Sequence, residues 1–464
     1  MTNWQPDLEN RHNARYLAIA DALEEDVSAG RLPPGTRLPT HRDLAWRLGV
    51  TVGTISRAYA EAERRGLVSG EVGRGTYVRD RGAPQAFFGP RDDTPAEVID
   101  LTMSVAPEGL NDAALAKTLA EMAADPATGQ LAAYRGAEGL ARHRAAGAAW
   151  IARRGVKVEA DRVAITAGGN HGILVAIAAA TQPGDKVLVE PLSYPMIQPI
   201  AQMMGRRLEA VAADDAGLLP DALAAACRSG EARALYCIPT MHNPTTAIMP
   251  EARRAELAEV ARAHRLSVIE DEIYAHLVPN PPAPLVSRLP NLGYYLVSLS
   301  KTLGAAGLRV GYLVGPRDTR EAVFGAIRAS MMMASPLTAD IAARWIEDGT
   351  ADRLLAQMRS EMAARRRLAQ EILGRWNPAC PEGGLHVWLP LPGERDAEDF
   401  VGEARQRGVI VAPAPVFACG SRSPLNGIRI SLGKPRERAQ LETALKTLAR
   451  VLSEEHRALM QAIV

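Results

Sequence analysis

From Asp100 onward, short apolar runs rich in β-branched residues alternate with alanine-rich stretches of helical spacing. This rhythm constrains the fold more than any other feature of the chain. Val163–Thr166, Lys186–Glu190, Ala234–Ile238, Ser267–Glu270 and Tyr295–Ser298 read as strands. Most are apolar throughout, as strands covered on both faces must be. Helices between such strands predict an α/β doubly wound lobe. A last stretch, about 355–464, carries a long arginine-rich helix and then Leu385–Leu389, Val409–Val411 and Gly427–Leu432 as strands, which predicts a smaller α+β lobe. A chain of 464 residues has room for more than this one domain.

The first eighty residues follow a different pattern. Apolar side chains at Tyr16, Leu17, Ile19, Ala20, Leu23 and Val27 predict a helix over 8–29 with one buried stripe. Thr40-His-Arg-Asp43 reads as a capping box opening a short helix that stops at Gly49. Thr51 opens a second helix, which closes at Gly66, and the pair fits a helix-turn-helix. Leu67-Val68 and Thr76-Tyr-Val78 around a glycine-rich turn read as the hairpin of a winged helix. The net charge of the chain is only +1, which excludes a globally basic nucleic-acid coat, but residues 31–81 hold 10 arginines against 5 acids. Thr51, Thr54, Ser56 and Arg57 stand near the start of the second short helix, the part of a recognition helix that reaches base edges. Thr40, Arg42 and Arg74 are candidate phosphate contacts. The blander alternative is a solvated helical bundle with surface arginines.

Between these halves, residues 81–98 hold prolines, glycines and acids with little periodicity, the composition of a linker. Phe87 and Phe88 are expected to dock on the larger domain. Four scattered cysteines without a C-x-x-C spacing frame neither a disulfide scaffold nor a zinc site, so no metal is expected and a reducing, cytoplasmic setting is. The N-terminus lacks the order of a signal peptide, and the apolar run at 173–180 is too short for a bilayer, which needs ~20 residues. No membrane association is expected.

Ligand chemistry in doubly wound sheets gathers at the carboxyl ends of strands. Reading those positions in order gives Gly168, Gly169 and Asn170; Tyr194; Asn243; Asp271 and Tyr274; Ser298, Ser300 and Lys301, with Arg309 beyond; and Arg429 inside an apolar strand. Glycines at a strand-to-helix turn free backbone N–H groups for a phosphate. Lysine occurs only at 117, 157, 186, 301, 434 and 446, so a chemistry that needs an amine has six candidates. Taken singly, Lys301 is also a plausible surface lysine, Asp271 a helix cap and Arg429 a salt-bridge partner. Together they match what pyridoxal phosphate requires: an amine for its aldehyde, a carboxylate for its ring nitrogen, phosphate donors and a stacking surface.

Two resemblances follow from these motifs. Residues about 12–80, from Gly35-Thr-Arg-Leu-Pro-Thr-His-Arg-Asp to Gly73-Arg-Gly-Thr-Tyr-Val, resemble the winged-helix domain of GntR-family regulators. Residues about 100–464 resemble fold-type I pyridoxal-phosphate enzymes of the aspartate aminotransferase class, through Asn243-Pro-Thr, Asp271-x-x-Tyr274, Ser298-Leu-Ser-Lys301, Arg309-Val-Gly-Tyr312 and Arg429. A GntR-type head on this domain is the architecture of MocR-type transcriptional regulators. The expected domains are 1–80, a linker at 81–98, and 99–464, with a large lobe about 140–350 and a small lobe about 99–130 plus 355–464.

The resemblance implies roles. Lys301 would form the internal aldimine, and Asp271 would pair with the pyridinium nitrogen. Asn243 and Tyr274 would bond the phenolic oxygen, and Tyr194 would stack on the ring. Gly168, Gly169, Asn170, Ser298 and Arg309 would hold the phosphate, and Arg429 the carboxylate of an amino-acid ligand. Tyr134 would serve the partner subunit's phosphate, which implies a homodimer with composite sites. The implied function is a regulator of double-stranded operator DNA that senses an amino acid, an amine or a related metabolite by aldimine exchange at Lys301. The alternatives are a working aminotransferase that carries a DNA-binding module, and a constitutive DNA-binding dimer whose cofactor site is a relic. Two departures from the family pattern stand out: Asn-Pro-Thr-Thr246 where a glycine is usual, and Pro413-Ala414 where Pro-Gly is usual.

Overall fold

The computed structural model describes residues 4–8, 14–28, 31–33, 35–64, 67–71, 75–78, 98–228, 230–391, 396–419 and 425–462. The expected linker and its Phe87 and Phe88 fall outside them, as does Arg74. The chain divides into two compact units, Met1–Gly89 and Pro90–Val464.

In the first unit, α1 (Arg15–Ser28), α2 (His41–Leu48) and α3 (Val52–Arg64) precede an antiparallel hairpin of β1 (Val68–Glu71) and β2 (Gly75–Val78). Thr40 caps α2 by accepting the Asp43 amide at 3.2 Å. Gly49 ends it at φ +62°, a left-handed turn that a Cβ would strain. Ile19, Leu23, Leu44, Ile55, Tyr59, Leu67 and Val78 close one core. Trp4 joins them and donates its indole N–H to Asp26 at 2.6 Å, a tether the periodicity of the first helix gave no sign of.

The second unit is built on a seven-stranded mixed sheet. In chain order its strands begin with β3 (Ile99–Asp100), which lies outside that sheet, then β4 (Val163–Thr166), β5 (Lys186–Val189) and β6 (Arg207–Ala210). A two-residue hairpin follows, β7 (Ala213–Asp214) with β8 (Gly217–Leu218), and then β9 (Ala232–Cys237), β10 (Ser267–Asp271), β11 (Gly293–Ser298) and β12 (Gly311–Val314). The large sheet runs β4-β12-β11-β10-β9-β5-β6. The sequence reading found five of the seven strands and missed two. Of these, β12 is antiparallel to both neighbours, so the sheet is mixed rather than wholly parallel. The other, β6, is a half-exposed edge strand, Arg-Leu-Glu-Ala, whose polar residues suit an edge and hide its strand character.

The smaller sheet is antiparallel, with β13 (His386–Pro390) and β15 (Ala412–Pro413) flanking β16 (Gly427–Ser431). Next to it β14 (Val409–Ile410) pairs in parallel with β3, so the residues after the linker join a strand more than three hundred positions away. Long helices Thr350–Leu373 and Arg438–Ala462 pack against each other beside these strands. No described helix is long and apolar enough to cross a membrane.

Candidate functional site

In the first unit, Thr51 precedes α3 and receives the Thr54 amide at 3.2 Å, and their hydroxyls lie 2.9 Å apart. Ile55, Ala58, Tyr59 and Ala62 bury one face of α3, which leaves Thr51, Ser56 and Arg57 exposed and Thr54 half-buried. Arg42 is exposed on α2. The Arg57 guanidinium lies 4.4 Å from the centroid of the Tyr16 ring on α1, a cation–π contact that steadies the arginine on its own domain. The tyrosine hydroxyl of α3, Tyr59, donates to the Pro39 carbonyl at 2.9 Å and ties this helix to the start of α2.

In the second unit most of the expected residues lie at the carboxyl ends of β4, β5, β9, β10 and β11, with Arg429 on β16. After β4, Gly168 takes φ +77° at the start of the helix Gly168–Ala180. A Cβ there would meet the Arg309 guanidinium at 2.5 Å, so only glycine lets the arginine close over the turn. Arg309 donates to the Ala167 carbonyl at 3.1 Å. Ser298 and Ser300 sit beside this turn, buried, with hydroxyls 3.1 Å apart. His171 accepts the Ala167 amide through Nδ1 at 3.0 Å and meets Ser330 through Nε2 at 2.8 Å. Burial holds its pKa below the ordinary value, which suits the neutral ring that this pairing needs. It supports the turn. Half-buried Tyr194 donates to Asn170 Oδ1 at 2.8 Å.

At the end of β10, Asp271 is 1% exposed. Its Oδ2 accepts the Tyr236 hydroxyl at 2.7 Å and its Oδ1 the Ile273 amide at 3.3 Å. Burial pushes its carboxyl up to about 6. Its neighbours Glu270 and Glu272 are also fully buried, and Arg254 lies 3.5 Å and 3.6 Å from them. Burial and Glu272 push Glu270 well above the carboxylate range. Lys301, after β11, donates from Nζ to the Ser104 carbonyl. Burial, then the guanidinium groups of Arg429 and Arg309, pull its amine down to about 8. Arg429 on β16 reaches Asn243 Oδ1 at 2.6 Å and the Thr102 carbonyl, with its guanidinium 4.7 Å over the Phe417 ring. Burial lowers its pKa to about 10.

Tyr134 does not join this group; its side chain is 83% exposed. Thr246, at the position of the family's usual glycine, is held at φ +63°, where a β-branched residue is strained. Its hydroxyl reaches only to the Ala379 carbonyl at 3.4 Å. Sequence reasoning missed Ser104, Tyr236 and His386. The histidine had a signal, a polar residue in the apolar run Leu385–Leu389, of the same kind that exposed Arg429. The other two had none, because a serine in a loop and a tyrosine in a strand are ordinary.

The donor set fits pyridoxal phosphate. The glycine turn that a Cβ would fill opens a helix N-terminus beside two serines and an arginine, which suits a phosphate. A buried carboxyl near 6 suits a cationic ring nitrogen, and an amine near 8 suits an aldehyde.

Comparison with known proteins agrees with both halves. Residues 15–78 match the bacterial regulatory proteins of the gntR family. Residues 96–448 match the aminotransferase class I and II family, whose members typically depend on pyridoxal phosphate. YdeF of Bacillus subtilis, named as an uncharacterized HTH-type transcriptional regulator, is 31% identical over 97% of each chain. The vitamin B6 salvage pathway transcriptional repressor PtsJ of Salmonella typhimurium is 28% identical over 89% of this chain and 93% of its own. The fold of an archaeal alanine:glyoxylate aminotransferase superposes with a TM-score of 0.73 at 22% identity, covering 85% of this chain and 99% of that one.

Proposed function

The chain belongs to the MocR-type family of HTH-type transcriptional regulators, a GntR head joined to a class I and II aminotransferase domain, and from that premise we propose that the larger unit binds pyridoxal phosphate and senses an amino acid, an amine or a related metabolite. The observation that carries this reading is the gathering of the Lys301 amine on the Ser104 carbonyl, the buried Asp271 carboxyl on the Tyr236 hydroxyl and the buried Arg429 guanidinium on Asn243 at one end of the sheet.

When bound, pyridoxal phosphate supplies an aldehyde for which Lys301 and the amine of a ligand compete. Gly168, Gly169, Asn170, Ser298 and Arg309 hold its phosphate, and Tyr194 covers the ring. Asp271 keeps the ring nitrogen protonated, and the Tyr236 hydroxyl orients that carboxylate. Asn243 spends its carbonyl on Arg429, which leaves its amide N–H groups to donate, beside Tyr274, to the phenolic oxygen. Arg429 turns its remaining donors to the carboxylate of the ligand, a bidentate geometry that lysine does not reproduce. The Ser104 carbonyl would hold the Lys301 amine whenever it is not engaged with the aldehyde. A second copy contributes Tyr134 to the phosphate, and the homodimer places two heads on operator DNA. In each head Thr51, Thr54, Ser56 and Arg57 face the bases, and Thr40, Arg42 and Arg74 the phosphates. The ligand changes operator binding only to the extent that it favours one arrangement of the dimer over another.

The competing reading, a working aminotransferase, draws on the same residues and on the likeness in fold. An absorption titration of the purified protein with amino acids and amines separates the two. A yellow band that shifts with one ligand and then holds supports the sensor and identifies its effector. A band that decays and is restored by a keto acid, with turnover, supports the enzyme. A protein that stays colourless when pyridoxal phosphate is added overturns both.

A further inference from the structure

Among the described residues of the first unit, two large apolar side chains are exposed, Trp46 on α2 and Val52 on α3. In a helix-turn-helix the first of these helices crosses the sugar–phosphate backbone, and the N-terminal residues of the second meet base edges. Val52 is the first residue of α3 and is 45% exposed. One exposed valine is ordinary on a protein surface. The groups around this one set it apart.

The polar side chains of the same turn are already engaged. The Thr51 hydroxyl accepts the Thr54 amide at 3.2 Å and lies 2.9 Å from the Thr54 hydroxyl. Each hydroxyl has a single hydrogen, so the pair keeps one O–H between them for anything outside. Arg57, further along the helix, lies over the Tyr16 ring at 4.4 Å, and reaching a base edge costs it that contact. Ile55, the other apolar residue of the turn, is fully buried in the core. Gly53 has no side chain, and a Cβ there would meet only the Thr51 hydroxyl, at 3.8 Å. The surface next to Val52 is therefore open, and a base edge can come against its methyl groups. The charge around it suits a polyanion, with 10 arginines against 5 acids over residues 31–81. Contacts of arginine with phosphate position a head on DNA without reading its sequence.

In the major groove one base presents a methyl group, thymine at C5. We propose that Val52 reads a thymine in the operator half-site through that methyl, so that the head prefers T·A at the position it faces. The inference rests on the reading of residues 15–78 as a DNA-binding head and deepens it. The arginines hold the duplex, and an apolar contact supplies part of the choice of sequence.

The test begins with an operator selected from random duplex DNA by the full-length wild type. Each thymine of the enriched sequence is then replaced in turn by deoxyuridine, which removes the methyl and keeps the pairing. Fluorescence anisotropy at fixed salt compares full-length wild type with Val52→Ala, a change at an exposed position where alanine favours the helix. At one thymine of the half-site, deoxyuridine should weaken the wild type by about fourfold, as expected for one methyl group buried, and should leave Val52→Ala within about 1.5-fold. That non-additivity marks a direct contact between the two groups. The salt dependence of Val52→Ala should equal that of the wild type, since no phosphate contact is lost. A deoxyuridine penalty of the same size in both proteins would assign the effect to DNA shape or to another residue and overturn the proposal. An operator in which no thymine answers to deoxyuridine would also overturn it. A shallower salt dependence in Val52→Ala would do the same, by placing Val52 in positioning rather than reading. A selection that enriches no sequence would overturn the DNA-binding reading itself, an outcome distinct from an operator that is bound but whose thymine methyl groups do not matter.

Discussion

A buried amine beside two guanidinium groups gives up its proton early, and Lys301 is in that position. The pH dependence follows with a definite sign. Uptake of pyridoxal phosphate by the free protein needs the neutral amine, so its rate should rise with a midpoint near 8, against ~10.4 for an ordinary lysine. The same shift acts on stability. Between about 8 and the ordinary value the unfolded chain binds more protons than the folded one, so the lysine's penalty is present below 8 and fades as pH rises. Asp271 has the opposite sign. Its raised carboxyl favours the fold at low pH, and that contribution is lost as pH climbs through about 6. A stopped-flow uptake profile with a midpoint above 9.5 would show that Lys301 is not the acceptor. The glycine turn gives a second test. Gly168→Ala adds a Cβ at φ +77° that meets Arg309 at 2.5 Å, so it should leave most of the fold intact and weaken phosphate binding by about tenfold or more. Fluorescence titration with pyridoxal phosphate measures this.

At the scale of elements, the caps of the helix-turn-helix carry both stability and presentation. Thr51→Ala removes the side-chain acceptor for the Thr54 amide and should lower the stability of the head by about 1 kcal/mol. Denaturation of the full chain followed at the head, and operator binding at a temperature well below melting, separate the two effects. Elements also show where the sequence stopped being legible. Strands buried on both faces announce themselves by composition, and β4, β5, β9, β10 and β11 were readable for that reason. Edge strand β6 hides behind its polar residues, and β12, Gly-Tyr-Leu-Val, opens on a glycine two residues after Arg309 and so reads as part of the motif around that arginine. Lys301, Asp271 and Arg429 each have an ordinary explanation singly and became legible together, by falling in order at strand ends. Ser104 and Tyr236 matter only through distances that folding creates, 3.0 Å to His386 and 2.7 Å to Asp271, which no spacing in the sequence encodes.

The whole molecule joins a GntR-type head to an aminotransferase-like domain, and the proposed function stands on the link between them. If each site is completed by its twin, chains carrying Lys301→Ala and Tyr134→Phe should complement when mixed and refolded together. The mixed dimer has one pocket with both residues intact, so tight pyridoxal phosphate binding should return to a fraction of sites, read by gel filtration with absorption detection. Failure to complement would place Tyr134 outside the pocket. The most direct measurement is footprinting on an operator selected from random DNA by the wild-type protein, with pyridoxal phosphate and the effector found by titration, for wild type and Lys301→Ala. The wild-type footprint or its affinity should change by at least about fivefold with effector, while Lys301→Ala binds the same DNA and does not respond. A Lys301→Ala protein that responds as the wild type does would contradict sensing through that lysine.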